Sequence, residues 1–172
     1  MNTRTIVALY VTLGACIGTA ATAEVSLLGQ EVTVQVQTYD DLSTPLFWGT
    51  QHAAIVESGV EFDLQREGIQ NDMDVVPIEI DIGANRIDLR YVFDSDLQLV
   101  ASQFNGYIFD FGEGACITVE EARVDEGSTT LTFTDDRVSV TDNTVALNIS
   151  GVTFGRDSQI GVDLRLKECP MS

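Results

Sequence analysis

The chain has 172 residues, 44% of them hydrophobic, and its 27 acidic and 9 basic side chains give a formal net charge of −18. This length suits a single domain with a sizeable core. The excess of acidic side chains excludes the classes of protein that bind nucleic acid or anionic lipid, because that binding depends on lysine and arginine. Lys167 is the only lysine. A surface of this kind is solvated, self-repelling and attractive to cations.

The first 23 residues have the pattern of a secretory signal peptide. Arg4 precedes an apolar stretch, Ile6–Ile17, and Ala21-Thr22-Ala23 is an A-x-A cleavage motif. The apolar stretch is short for a membrane span. We therefore expect cleavage between Ala23 and Glu24, a mature chain without a transmembrane span, and a secreted, periplasmic or cell-envelope location.

A second interpretation of the same segment is lipid anchoring. The sequence Leu13-Gly14-Ala15-Cys16 resembles a bacterial lipobox, in which Cys16 would carry the lipid and become the new N-terminus. The Ala-Thr-Ala motif and the apolar residues that follow Cys16 favour plain secretion.

Residues 24–172 predict one all-β domain, because apolar and polar residues alternate along most of it. The positions expected to point inward are Val32, Val34 and Val36; Ile78, Ile80 and Ile82; Ile87, Leu89, Tyr91 and Phe93; Tyr107, Phe109 and Phe111; Val145, Leu147 and Ile149; and Ile160, Val162, Leu164 and Leu166. Turn residues such as Asp142-Asn143 separate these segments. About ten short strands, each with one solvent-exposed face, predict an antiparallel β-sandwich, with a barrel as the alternative.

Trp48, the only tryptophan, is a candidate ligand-binding residue. It lies in Ser43–Thr50, which we expect to be a loop. An exposed aromatic ring there would suit a glycan, whereas the alternative is a residue that anchors the core or the loop.

Calcium is the one cofactor that the acidic residues suggest, because it prefers six to eight oxygen ligands. The densest acidic loops contain the candidates Asn71, Asp72, Asp74, Asp94 and Asp96. None of these loops has the spacing of an EF-hand, so ordinary acidic loops are the alternative.

Asp110-Phe111-Gly112 spells a motif with which protein kinases hold magnesium. The Gly-rich loop, strand lysine and catalytic-loop residues that accompany it in kinases are missing, so we interpret it as a strand end entering a glycine turn. Cys116 follows closely. In an exported chain that has lost Cys16, Cys116 and Cys169 remain, and we predict a disulfide between them.

Catalytic groups are few. His52 is the only histidine, which we expect to be structural or exposed, and a Gly-x-Ser-x-Gly motif is missing. One histidine also excludes the usual zinc sites. No catalytic residue is therefore assigned. A small glycosidase-like hydrolase that uses a carboxylate pair stays as the alternative, since the chain has many acids.

Several segments, among them "SLLGQEVTVQV", "VESGVEF", "FNGYIFDF" and "ITVEEARVDEGSTTLTFTDDRVSVTDNTVALNISGVTF", together resemble a loose group of exported β-rich bacterial proteins. Many of these carry a C-terminal PEP-CTERM sorting anchor. The resemblance implies export and a bacterial origin, and it implies no catalytic or binding residue. The chain ends in Lys167-Glu168-Cys169-Pro170-Met171-Ser172, which lacks the anchor pattern.

The expectation for function is a non-enzymatic binding or structural protein outside the cytoplasm. It combines the export pattern, a single compact β domain and the missing catalytic set. A glycan or an extracellular matrix component is the partner that this expectation favours.

Overall fold

The computed structural model describes residues 25–63, 69–70, 73–74, 76–112 and 116–168, and of residues 69–70 and 73–74 the backbone alone. Within these ranges the fold is all-β, and every strand pair is antiparallel. The described part of the chain contains no α-helix, and a three-residue 3-10 turn spans Asp135–Arg137. The strands form two main sheets that do not close into a barrel, so the predicted sandwich is confirmed over its alternative.

The six-stranded sheet has the order β12 (Val138–Thr141), β13 (Thr144–Asn148), β10 (Phe104–Asp110), β1 (Glu31–Tyr39) and β2 (Pro45–Trp48), with β3 (His52–Ile55) also paired to β1. The five-stranded sheet has the order β11 (Ile117–Val124), β15 (Gln159–Glu168), β8 (Arg86–Tyr91), β7 (Ile78–Ile82) and β4 (Val60–Asp63). Two small ribbons pair β9 (Leu97–Gln98) with β14 (Thr153–Phe154), and β5 (Ile69–Gln70) with β6 (Met73–Asp74). Among the described residues, eleven strands have four residues or more, in agreement with the prediction of about ten, and the four two-residue strands are additional because so short a segment shows no alternation.

One hydrophobic core lies between the two sheets. Val34 and Phe109 are cross-strand partners in the six-stranded sheet and are almost fully buried, and Ile80 and Leu89 are their counterparts in the five-stranded sheet. Fully burying a side chain of this size contributes about 1.5–3 kcal/mol. The alternation of apolar and polar residues thus places each strand's apolar face in this core, as predicted.

Phe93 is the exception among the predicted inward positions. Strand β8 ends at Tyr91, and the Tyr91 hydroxyl donates to the Ser95 carbonyl oxygen at 2.8 Å, which turns the chain away from the sheet. Phe93 consequently lies outside the alternating register and is 51% exposed. The prediction that Phe93 points inward is wrong for this reason.

The turn predicted after Asp110 is present where the structure describes it. Asp110 ends β10, and its Oδ1 accepts a hydrogen bond from the Gly112 backbone at 2.8 Å. Gly112 has φ +65°, a left-handed conformation that suits glycine. The Asn143 side chain ties both sides of this loop, since its Nδ2 donates to the carbonyl oxygens of Gly112 at 2.6 Å and Ile117 at 3.2 Å.

Candidate functional site

The outer face of the five-stranded sheet is covered with ion pairs. Arg90 pairs with Glu79 on the neighbouring strand, and Arg165 Nη1 lies 2.9 Å from Glu121 Oε2. Lys167 Nζ lies 3.3 Å from a carboxylate oxygen of Glu120. Exposed pairs of this kind each contribute about 0–1 kcal/mol. On this face, each of these three basic side chains is paired with a glutamate of the same chain.

Arg86 is the centre of this network. Its Nε lies 2.6 Å from Asp88 Oδ2, and its Nη1 lies 2.8 Å from Asp125 Oδ2 and 2.8 Å from Asp163 Oδ1. Its Nη2 also donates to the Ser128 hydroxyl. The guanidinium group therefore joins β8, β15 and the turn after β11, which is a structural role.

The electrostatics of the Arg86 cluster follow from these contacts. The hydrogen bond from Arg86 and the backbone N–H of Gly127 lower the pKa of Asp125 to about 2. The hydrogen bond to Asp88 is the main reason that the pKa of Arg86 is raised. Gly161 lies directly beneath the cluster, and a Cβ at that position would overlap the Arg86 guanidinium. A larger residue at position 161 would therefore displace the ends of the Arg86 and Ser128 side chains from this cluster.

The outer face of the six-stranded sheet is different, because its middle carries no charged side chain among the described residues. We call this surface the neutral face. It consists of the outward side chains Thr33, Gln35, Gln37, Leu46, Trp48, Ile108, Ser139, Thr141, Thr144, Ala146 and Asn148. Glu31, Asp110 and Arg137 stand at its rim. In a chain with net charge −18, such a surface is a marked local departure from the average.

Trp48 lies at one end of the neutral face. The predicted loop is wrong here, since Pro45–Trp48 forms β2, where a proline can begin an edge strand without breaking the ladder. Trp48 is the cross-strand partner of Gln37, and its side chain is 49% exposed. Leu46, two residues earlier, is 57% exposed. Exposed aromatic and aliphatic groups that lie side by side are typical of interaction surfaces.

The loop before β2 has a defined shape. The Asp41 carboxylate accepts hydrogen bonds from the Ser43 backbone at 2.9 Å and from the Ser43 hydroxyl at 2.7 Å, and the backbone bond is the main cause of a lowered pKa at Asp41. Asp40 accepts from the backbone of Gln103 at 3.0 Å, which ties the loop to its neighbour. Leu42, at the tip, is 65% exposed.

Three glutamine amides and one hydroxyl follow β1 away from Trp48. Gln37 Nε2 donates to Gln35 Oε1 at 2.8 Å, and Gln35 Nε2 donates to the Gly49 carbonyl oxygen at 2.9 Å. Further along, Gln51 Nε2 donates to Thr33 Oγ1 at 3.0 Å. We call Thr33, Gln35, Gln37 and Gln51 the amide row. Each amide has two N–H donors and one carbonyl acceptor, so these bonds orient the groups while using only part of their capacity.

The amide row leads into an open depression of about 380 Å³ at the opposite end from Trp48. Its lining residues are Gln30, Glu31, Thr33, Gln51, Asp110, Phe111 and Gly112. Two carboxylates, Glu31 and Asp110, thus stand at the end of an otherwise uncharged surface. Asp110 also accepts the Gly112 hydrogen bond, so its orientation is set by the turn.

A second depression, of about 280 Å³, lies on the five-stranded sheet. Glu79, Asp81 and Asp88 line it, and Asp81 is the direct cross-strand partner of Asp88. A hydrolase that uses two carboxylates would need such neighbouring acids. Glu79 is paired with Arg90, however, and Asp88 with Arg86, so two of the three carboxylates have structural partners.

The calcium candidates are only partly within the described residues. Asn71 and Asp72 lie outside them, and of Asp74 only the backbone is described. Asp94 and Asp96 lie between β8 and β9, and Asp94 Oδ1 is 3.3 Å from Arg156 Nη2. Across the ranges that the structure covers, no group of three or more His, Cys, Asp or Glu side chains is arranged to hold a metal ion.

Most residues of the predicted disulfide and cleavage site lie outside the described part of the chain. Cys116 is described and exposed, just before β11, whereas Cys169 lies outside the described residues, as do Cys16, Ala23 and Glu24. The disulfide and the cleavage site therefore stay predictions. His52 is half-buried in β3, opposite Val34.

The amide row is the feature that the sequence reasoning missed. A signal for it exists: the outward positions of β1, Thr33, Gln35 and Gln37, are all polar and uncharged in a chain rich in acids. Their hydrogen bonds to Gly49 and Gln51 could not be foreseen, because those partners follow a bend between β2 and β3.

No family model, no curated protein and no solved structure matches the chain. The described residues contain no helix of the length and hydropathy that crossing a membrane requires.

Proposed function

We propose that this protein is exported and acts, without catalysis, by binding a glycan on the neutral face. The observation that carries the proposal is the contrast between the two outer faces of the sandwich. One face is a lattice of ion pairs, and the other combines exposed Trp48 and Leu46 with the uncharged amide row. A glycan of the extracellular matrix or cell envelope would be such a partner.

The chemistry of the neutral face suits sugar rings. The face of an indole ring packs against the C–H groups of a pyranose, and burying an aromatic side chain supplies much of the energy at an interface. The amides of Gln35 and Gln37 can both donate to and accept from sugar hydroxyls. Binding here also avoids the cost of removing water from charged groups, which would be high on the other face.

The export pattern and the charge support an extracellular site of action. Arg4, the apolar stretch Ile6–Ile17 and Ala21-Thr22-Ala23 favour secretion with cleavage before Glu24. A net charge of −18 keeps the protein soluble at high local concentration. Mass spectrometry of the protein recovered outside the cytoplasm tests this step. A mature chain that starts at Glu24 supports secretion, and one that starts at a lipid-modified Cys16 contradicts it.

Substitution of Trp48 tests the glycan-binding proposal. We expect Trp48→Ala to weaken binding to immobilised polysaccharides at least about tenfold, the equivalent of about 1.4 kcal/mol, because the largest exposed ring of the neutral face is lost. The matched control is Phe93→Ala, since Phe93 is 51% exposed but lies outside the neutral face. Affinity gel electrophoresis against a polysaccharide panel gives the measurement.

The proposal fails if no polysaccharide retards the protein, or if both variants weaken binding equally. Release of reducing ends from a bound polysaccharide would instead support the hydrolase alternative, and Asp81→Asn would then be the first variant to examine.

A further inference from the structure

We infer that the ligand is an uncharged polysaccharide and that its chain runs along β1, from Trp48 over the amide row to the 380 Å³ depression. This inference rests on the proposed function and adds to it the class of glycan and the direction in which the glycan lies. Three independent properties of the neutral face lead to it: the order of its polar groups, its charge and its length.

Polar groups follow β1 without interruption from the position beside Trp48. Gln37, Gln35 and Thr33 are successive outward residues of one strand, and Gln37 and Gln35 are hydrogen-bonded to each other. Across the sheet, the row through Gln35 continues with the aliphatic Ile108 and Ala146, whereas the row through Thr33 continues with Asp110 and Thr144. A polyhydroxyl chain that lies along β1 from Trp48 therefore meets a donor or acceptor at each outward position, and one that crosses the sheet at Gln35 meets aliphatic groups.

The charge of the molecule selects an uncharged chain. A polyanion such as a uronic acid polymer would approach a protein of net charge −18 against its long-range field. A polycation would find its best contacts at carboxylates, which the middle of the neutral face lacks. Glu31 and Asp110 at the far end can accept hydrogen bonds from hydroxyl pairs of a neutral sugar, while they would repel a carboxylated one.

We call the path along β1 from Trp48 to the depression the track. Its length determines how many sugar rings can be bound. Gln37, opposite Trp48, and Glu31, in the depression, are six residues apart on β1. At about 3.4 Å per residue this separation is about 20 Å, which is the length of about four linked sugar rings.

The first test compares neutral with anionic polysaccharides in native affinity gels. We expect retardation by at least one of β-glucan, xyloglucan and galactomannan, and none by alginate or polygalacturonate, in a buffer of about 0.01 M ionic strength, where the charge of the protein acts over about 30 Å. Retardation by the anionic polymers alone would overturn this inference and leave the proposed function standing. Retardation by none of the five would overturn both.

The second test locates the chain on the sheet. Gln37→Ala removes one amide of the row and is expected to weaken binding about five- to tenfold. Ser139→Ala removes a polar group of the same face on β12, outside the track, and is expected to have no effect. Circular dichroism and melting curves show whether each variant is folded. Equal losses in the two variants, or a loss only in Ser139→Ala, would overturn the placement along β1.

A third measurement needs no variant. Oligosaccharides of the retarding polysaccharide, two to eight rings long, are titrated calorimetrically into the unmodified protein. We expect affinity to rise with length and to level off at about four rings, the length of the track. Affinity that levels off at two rings, or that still rises at eight, contradicts a track that ends at the depression.

Discussion

Outward strand positions in this protein are used in two ways, and individual residues show the difference. Arg86 is an outward residue whose guanidinium contacts Asp88, Asp125 and Asp163, so its charge is neutralised within the molecule. Gln35 is an outward residue whose amide is oriented by neighbours but keeps capacity for a ligand. Both are polar strand positions in the sequence, and only the structure shows that the partners of one are charged and those of the other are neutral.

The Arg86 cluster predicts how stability depends on pH. The pKa of Asp125 is lowered from 3.8 to about 2 in the folded protein. A lowered pKa contributes stability at pH values above the unfolded value, and this contribution is lost as the pH falls from about 4 through about 2. We therefore expect the melting temperature to fall across this window, and Asp125→Asn to reduce the size of that fall.

Melting curves between pH 2 and pH 6 measure this effect. Asp94→Asn is the control, because Asp94 has a highly exposed side chain, lies outside the Arg86 cluster and is 3.3 Å from Arg156. The account of Asp125 is wrong if Asp125→Asn leaves the pH dependence unchanged, or if Asp94→Asn reduces it by the same amount.

Strand elements were predictable where alternation is long and turns are tight. The hairpin between β12 and β13 follows the predicted turn, since Asp142 and Asn143 have φ values of +48° and +64°, which Asp and Asn tolerate better than most residues. β2 was not predictable, because four residues that begin with proline resemble a loop. Its place in the sheet comes from pairing with β1, which local sequence does not reveal.

The pairing of β11 with β15 bears on the predicted disulfide. The described register ends with Ile117 opposite Glu168, directly after Cys116. Cys169 lies outside the described residues, so the disulfide stays a prediction from the sequence. The bond would join the start of β11 to the end of β15.

We predict that Cys116→Ser lowers the free energy of unfolding by about 4 kcal/mol, because the closed loop of roughly 50 residues restricts the unfolded chain. Cys169→Ser should cost the same, and the double variant should cost no more than either. Denaturant unfolding gives the values. Alkylation of the unfolded protein without reductant adds no mass if the bond exists, and two modified thiols would contradict it.

At the scale of the whole molecule, the sandwich separates its charges by face. Ion pairs concentrate on the five-stranded sheet, while the six-stranded sheet carries the neutral face. Acidic residues still outnumber basic ones by 27 to 9, so the excess negative charges repel one another across the surface.

This excess predicts that salt stabilises the fold. Between about 0.01 M and about 1 M NaCl the screening length falls from about 30 Å to about 3 Å, so repulsion among the acids is removed. The loss of exposed ion pairs is smaller, at about 0–1 kcal/mol each. The melting temperature should therefore rise with NaCl. A melting temperature that falls with salt would show that the ion pairs dominate.

The same measurement addresses calcium. At equal ionic strength, CaCl₂ should match NaCl if the acids act only as a solvated coat. A further rise in CaCl₂ would indicate a bound ion and would support the candidate loops, among them the one with Asp94 and Asp96.

Alternation and turn chemistry in the sequence were enough for the all-β class, the antiparallel pairing and most of the core, because both are local properties that repeat every two residues. The strand order, the edge strand β2 and the exposed Phe93 depended on contacts between distant segments. The candidate site depended on them too, since Trp48, the amide row and the depression are brought onto one surface by the pairing of β1 with β2, β3 and β10. The register between neighbouring strands determines which side chains share a surface, and that register is fixed only when the whole sheet assembles.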